Sequence, residues 1–157
     1  MHKICTDIII EAPIHEVWDL LTDFEEYGSW NSFITAITGV IEKGSKLDVH
    51  MQLPGMKGID LNPVITKVQP LHEIRWIGNL WIKGIFDGEH AFRLEELENG
   101  RTRLIQCERF RGVLAPLILH LIGDRTKEGF RNMNRELKGA CEKRKGFGLK
   151  RNVPLAL

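Results

Sequence analysis

Residues 113–144 read VLAPLILHLIGDRTKEGFRNMNRELKGACEKR, and this stretch decides how the rest of the chain must be arranged. From Leu114 onward, apolar side chains return at Leu117, Ile118, Leu121, Ile122, Phe130, Met133, Leu137, Ala140 and Cys141. That spacing is one face of a 3.6-residue period. Arg125, Lys127, Glu128, Arg131, Arg135, Glu136 and Lys138 fall mostly between them, so the expected helix has a dry side and a wet side. Pro116 is tolerated in a first turn, where its missing N–H would have no intrahelical partner. Lys143-Arg144-Lys145-Gly146 supplies the cations and then the glycine of a helix end. At about 1.5 Å per residue such an element spans roughly 45 Å. It must lie across something large, curved and apolar.

The preceding chain supplies that surface. Residues 3–11 read as a strand with Ile4, Thr6, Ile8 and Ile10 on one face, stopped by Ala12-Pro13. Two short helices follow, Ile14 to Leu21 and a second opened by Thr22-Asp23 and closed near Gly28. From Ile34 the pattern has period 2, giving strands at 34–41, 46–53, 61–69, 73–79, 82–96 and 102–111. Glu42-Lys43-Gly44-Ser45, Pro54 to Gly58, Gln69 to His72 and Glu98-Asn99-Gly100-Arg101 separate them with turn chemistry. Links this short make antiparallel neighbours. The expectation is an α+β fold in which a curved antiparallel sheet of about seven strands wraps one long C-terminal helix. Residues 1–145 form a single domain on this reading, and 146–157 a loose basic tail.

Composition narrows the function classes. The chain has 157 residues, 43% hydrophobic and 27% charged, with a formal net charge of +1. A domain of that size holds a core without staples, and near-neutrality gives no general attraction to nucleic acid. The stretch from Lys138 to Arg151 is locally basic, with Lys138, Lys143, Arg144, Lys145, Lys150 and Arg151 against Glu142 alone, and reads as a solvated end. Cys5, Cys107 and Cys141 are odd in number and far apart, so neither a disulfide framework nor a zinc site is expected. That points to a reducing compartment, and with no signal-like or membrane-length apolar run, to the cytoplasm and to no integral membrane association. The six histidines include no His-x-x-x-His or His-x-His, and no phosphate-cradling glycine motif or nucleophile elbow occurs, so no metal and no cofactor is expected.

One resemblance adds to this. Ala12-Pro13, the run Val17 to Phe24, Tyr27, Trp30-Asn31, Gly39, Glu73 to Trp76, Gly88-Glu89-His90 and the run Thr102 to Gly112 occur in the order found in START-like (SRPBCC) proteins. Over about residues 3–142 the sequence resembles most the bacterial polyketide cyclase/dehydrase-type subfamily. The resemblance implies the helix-grip fold, with a hydrophobic cavity between the sheet and the last helix. It implies no single activity, since such folds include lipid carriers, cyclases and hormone-binding proteins.

Strand parity selects the side chains that would face this cavity. His90 shares parity with Phe86 and Phe92; Gln106 and Glu108 share it with Leu104 and Phe110. Met51 and Trp76 point the same way on their strands, while His50 and Arg75 point outward. Phe130 and Met133 come from the dry side of the last helix. Trp30 and Asn31, at the second short helix's exit, are candidates for the entrance, although Asn31 serves equally as a turn cap. Trp18 reads as core and Trp81 as a rim or end cover. The expected polar corner, His90 with Gln106 and Glu108, has three readings. The groups satisfy one another, they recognise a ligand's hydroxyl or carbonyl, or His90 and Glu108 act as acid and base. The function expected is binding of a small hydrophobic molecule, lipid, polyketide-like or aromatic. The alternatives are a cofactor-independent cyclase or dehydratase and an interaction module with a filled interior.

Overall fold

The structure, a computed structural model, describes residues 1–151, with side chains through residue 144. Strand β1 (His2–Ile10) leads into helix α1 (Ile14–Thr22), a 3-10 turn (Phe24–Glu26) and α2 (Tyr27–Trp30). Seven further strands follow: β2 (Ile34–Thr38), β3 (Asp48–Met51), β4 (Ile59–Leu61), β5 (Val64–Gln69), β6 (Glu73–Leu80), β7 (Phe86–Leu97) and β8 (Arg101–Arg111). Helix α3 (Ala115–Arg151) ends the described chain. Every strand pair is antiparallel, in a five-stranded sheet β1-β8-β7-β6-β5 and a three-stranded sheet β2-β3-β4. An isolated bridge pairs Lys46, just before β3, with Val64 of β5, and Leu47 N donates to Pro63 O beside it at 2.8 Å.

The segment expected as one strand at 61–69 is two, because Pro63 has no N–H to give to a ladder and interrupts it after Leu61. The strand expected from Ile82 starts at Phe86 instead. Trp81 has φ 65°, a conformation that turns the chain before pairing can begin. The helix expected to stop near Arg144 continues through Arg151, since Gly146 and Gly148 weaken a helix without ending it. The loose tail drawn from residue 146 is thus helical to Arg151, and residues 152–157 lie outside the described residues.

The core lies between the sheet's inner face and α3. Phe130, Met133 and Leu137 are wholly buried, beside Ile10, Leu47, Leu53, Phe92 and Leu104. Asn134 Nδ2 donates to Thr6 Oγ1 at 2.9 Å, tying α3 to β1. In the first turns of α3, however, one of two apolar stripes is wet. Ala115, Ile118 and Leu119 pack on Phe86 and Phe110, while Leu117 and Leu121 are exposed. Both stripes keep helical spacing, and a helix can turn only one toward a sheet. The dry face expected to include Leu114, Leu117 and Leu121 is corrected accordingly.

The cysteine expectation is also corrected. Strand β1 lies beside β8 with Cys5 opposite Cys107, and the two form a disulfide across a sequence separation of 102 residues. Cys141 is free and buried.

Candidate functional site

Between the inner face of the sheet and the middle of α3 lies a cleft with about 750 Å³ of free space, its open mouth included. Strands β3 and β4 contribute Val49, Met51, Ile59 and Leu61; β6 to β8 contribute Trp76, Phe86, His90, Glu108 and Phe110; α3 contributes Ile122 and Thr126. Among the described residues, the wall contains no lysine and no arginine.

Of the residues proposed from sequence, Met51, Trp76, Phe86, His90, Glu108 and Phe110 line this cleft. Phe92, Gln106, Phe130 and Met133 are fully buried and do not line it. Trp30 and Asn31 are elsewhere. Trp30 packs edge-on against Tyr27 at 5.0 Å. Asn31 Oδ1 accepts the backbone N–H groups of Phe33 and Ile34 at 2.9 and 2.8 Å, which fixes the turn into β2. These two were drawn toward the cavity because their segment has no strand parity to orient it.

The polar corner is built by the register of three strands. His90 on β7 is opposite Trp76 on β6 and Glu108 on β8. Its ring stacks on Trp76 at 5.5 Å and meets the edge of Phe130 at 5.1 Å. Its Nε2 is 3.1 Å from Gln106 Nε2, and its Nδ1 is 3.5 Å from Glu108 Oε2. With the Gln106 amide nitrogen donating to it, the imidazole Nε2 accepts, and a neutral ring in this arrangement carries its proton on Nδ1, facing Glu108. The same amide nitrogen is 3.5 Å from Met133 Sδ, a weak acceptor. At 3.5 Å the N–H to carboxylate contact is too long to be a strong hydrogen bond. A donor and an acceptor therefore stand side by side, each with capacity to spare.

Two glycines that sequence reasoning missed open the wall here. Gly78 and Gly88 face one another across β6 and β7, and both line the cleft. A Cβ on Gly88 would lie 2.3 Å from Glu108 Oε1, so the carboxylate occupies the volume a side chain would take. Glycine inside a strand pattern was the available signal, since it marks close approach. Gly88→Ala is expected to change unfolding free energy by less than about 1 kcal/mol, because only the flexible end of Glu108 must move. The imidazole ¹⁵N resonances of His90 should nevertheless shift as the carboxylate leaves. A loss above about 3 kcal/mol would mean that Glu108 is held rigidly.

Among the described residues, no group of three or more His, Cys, Asp or Glu side chains is arranged to hold a metal ion. No described helix is long and apolar enough to cross a membrane. A family model described as polyketide cyclase / dehydrase and lipid transport matches residues 1–142. The chain belongs to that family. Among curated proteins, none matches the sequence. Solved structures of the same shape include a hypothetical protein of Helicobacter pylori, 16% identical with a TM-score of 0.72, covering 89% of this chain and 88% of that one. A START superfamily protein of Mycobacterium smegmatis is 16% identical with a TM-score of 0.69, covering 91% and 99%. The ZhuI aromatase/cyclase of Streptomyces sp. R1128 is 15% identical with a TM-score of 0.69, covering 91% and 94%. At these identities the likeness establishes the polyketide cyclase/dehydrase helix-grip fold and nothing finer.

Proposed function

We propose that this protein reversibly binds a small apolar molecule, aromatic or lipid-like, that carries a hydroxyl group. The observation that supports this is the adjacent His90 Nδ1–H and Glu108 carboxylate, 3.5 Å apart in an otherwise largely apolar wall. A hydroxyl accepts from one and donates to the other. A carbonyl engages His90 alone and leaves Glu108 unanswered. An anionic ligand faces the charge of Glu108 with no lysine or arginine in the wall to offset it. Thr126 adds no competing donor, since its hydroxyl is given to Ile122 O at 3.0 Å.

Fluorescence titration with naphthalene, 2-naphthol and 2-naphthoate tests this reading. 2-Naphthol is expected to bind about tenfold more tightly than naphthalene, and 2-naphthoate more weakly than either. Glu108→Gln should remove about 1 to 3 kcal/mol from 2-naphthol binding and little from naphthalene binding. Equal affinity for naphthol and naphthalene would reject the hydroxyl preference, and no binding by any of the three would reject the apolar site.

The same pair supports a second reading, in which Glu108 and His90 act as base and acid on an enolisable, polyketide-like substrate. The family description names cyclases and dehydrases beside lipid transport, and ZhuI shares the fold. In that case Glu108→Gln should lower turnover roughly a hundredfold while binding survives.

A further inference from the structure

The apolar stripe that α3 leaves in solvent continues onto the turn between β6 and β7. Leu117 and Leu121 are 60% and 69% exposed, Val113 80%, and in the turn Trp81 is 70% and Ile82 68% exposed. Val113 N donates to Gly84 O at 3.1 Å and Leu114 N to Ile85 O at 3.0 Å, so turn and helix start are stitched into one surface. Soluble proteins expose scattered single apolar residues, but a contiguous patch with an aromatic tip marks an interaction site. Trp81 holds its indole there at φ 65°, a conformation uncommon for a bulky residue.

We infer that this patch docks the protein on the surface of an anionic lipid bilayer. The edge of the patch carries Lys83 in the turn and Arg111 just before the helix, both exposed. Asp87, at the start of β7 and opposite Arg111 in register, accepts the N–H of Gly84 at 3.0 Å, and the turn itself, residues 81–85, holds no acid. A tryptophan and aliphatic side chains bordered by cations are what an interfacial segment presents to acyl chains and phosphate headgroups. A second copy of the chain is a poorer occupant. A two-fold contact through the patch would offer Lys83 and Arg111 no acidic partner from Val113, Leu117, Leu121, Trp81 or Ile82 of the other copy. The patch also borders the cleft, since Leu80, Phe86 and Ile122 line the cleft next in sequence to patch residues or a few positions from them. The inference rests on the surface patch and stands whether or not the cleft binds a hydroxylated molecule.

Flotation of the full chain with vesicles of phosphatidylcholine, and of phosphatidylcholine mixed with phosphatidylglycerol, tests it. The protein should float with the mixed vesicles and far less with the neutral ones. Lys83→Glu and Arg111→Glu should each weaken binding about fivefold or more, the effect of one cation near an anionic surface. Trp81→Ser combined with Leu117→Ser and Leu121→Ser should abolish flotation without lowering the thermal midpoint, because these side chains are exposed. Unchanged flotation of that triple variant, or no flotation of the native chain with mixed vesicles, would overturn the inference. So would a native dimer in sedimentation velocity that the triple variant dissolves.

Discussion

Truncation of Phe130 to Ala is expected to cost about 3 to 5 kcal/mol of unfolding free energy, measured by urea denaturation at equilibrium. Its ring is wholly buried and meets Phe33 edge-on at 5.5 Å and His90 edge-on at 5.1 Å. Neither neighbour can follow it into the void. Gly129, the preceding residue of α3, already lets the helix backbone approach Phe33 so closely that a Cβ there would stand 2.5 Å from the ring. The helix is therefore seated against Phe33, and His90 is held between Trp76, Gln106 and Phe130. Loss of the ring should also free the imidazole, so Phe130→Ala should weaken any preference for 2-naphthol over naphthalene while Phe130→Leu keeps most of it. A stability loss below about 1 kcal/mol would remove Phe130 from the core.

The parts of the fold that were legible in the sequence are those with a local clock. Period-2 alternation carries the inward parity of His90, Gln106 and Glu108, because successive side chains in a strand must take opposite faces. The pairing of His90 with Glu108 was legible for a further reason. Asn99 and Gly100, both at positive φ, centre the turn between β7 and β8, and a tight turn fixes the register of every pair behind it. Trp30 and Asn31 had no such clock, nor did the cleft-lining Phe33 beyond them. The exposed stripe of α3 failed differently. Ala115, Ile118, Leu119 and Ile122 keep the same helical spacing as Leu114, Leu117 and Leu121, so periodicity alone does not say which stripe meets the sheet. Thr126, on the cleft wall, was overlooked because a mid-helix threonine carries no pattern; its hydroxyl is spent on Ile122 O.

The largest departure from the sequence reading is the disulfide, and it yields the other large effect expected. Non-reduced protein should contain one bridge, Cys5–Cys107, and one free thiol, Cys141. Nothing local announces the bridge. Strands β1 and β8 lie at opposite ends of the chain with no turn between them to set their register, so 102 residues of separation hid a directly opposed pair. That same separation makes the cross-link consequential. Loop-closure entropy gives about 4.7 kcal/mol for a loop near 100 residues, and typical contributions are about 2 to 4 kcal/mol. Reductant should therefore lower unfolding free energy by about 2 to 4 kcal/mol, and the Cys5→Ser, Cys107→Ser double variant should match the reduced protein and ignore reductant. Cys141→Ser should leave the redox dependence intact. Burial pushes the Cys141 thiol up to about 12, so it stays protonated and does not compete in exchange. Three free thiols in protein isolated without reductant, with stability indifferent to it, would refute the bridge. If the bridge is found, the reducing-compartment half of the cytoplasmic expectation falls, for it rested on cysteines too scattered to pair, and a persistent bridge belongs to an oxidising compartment.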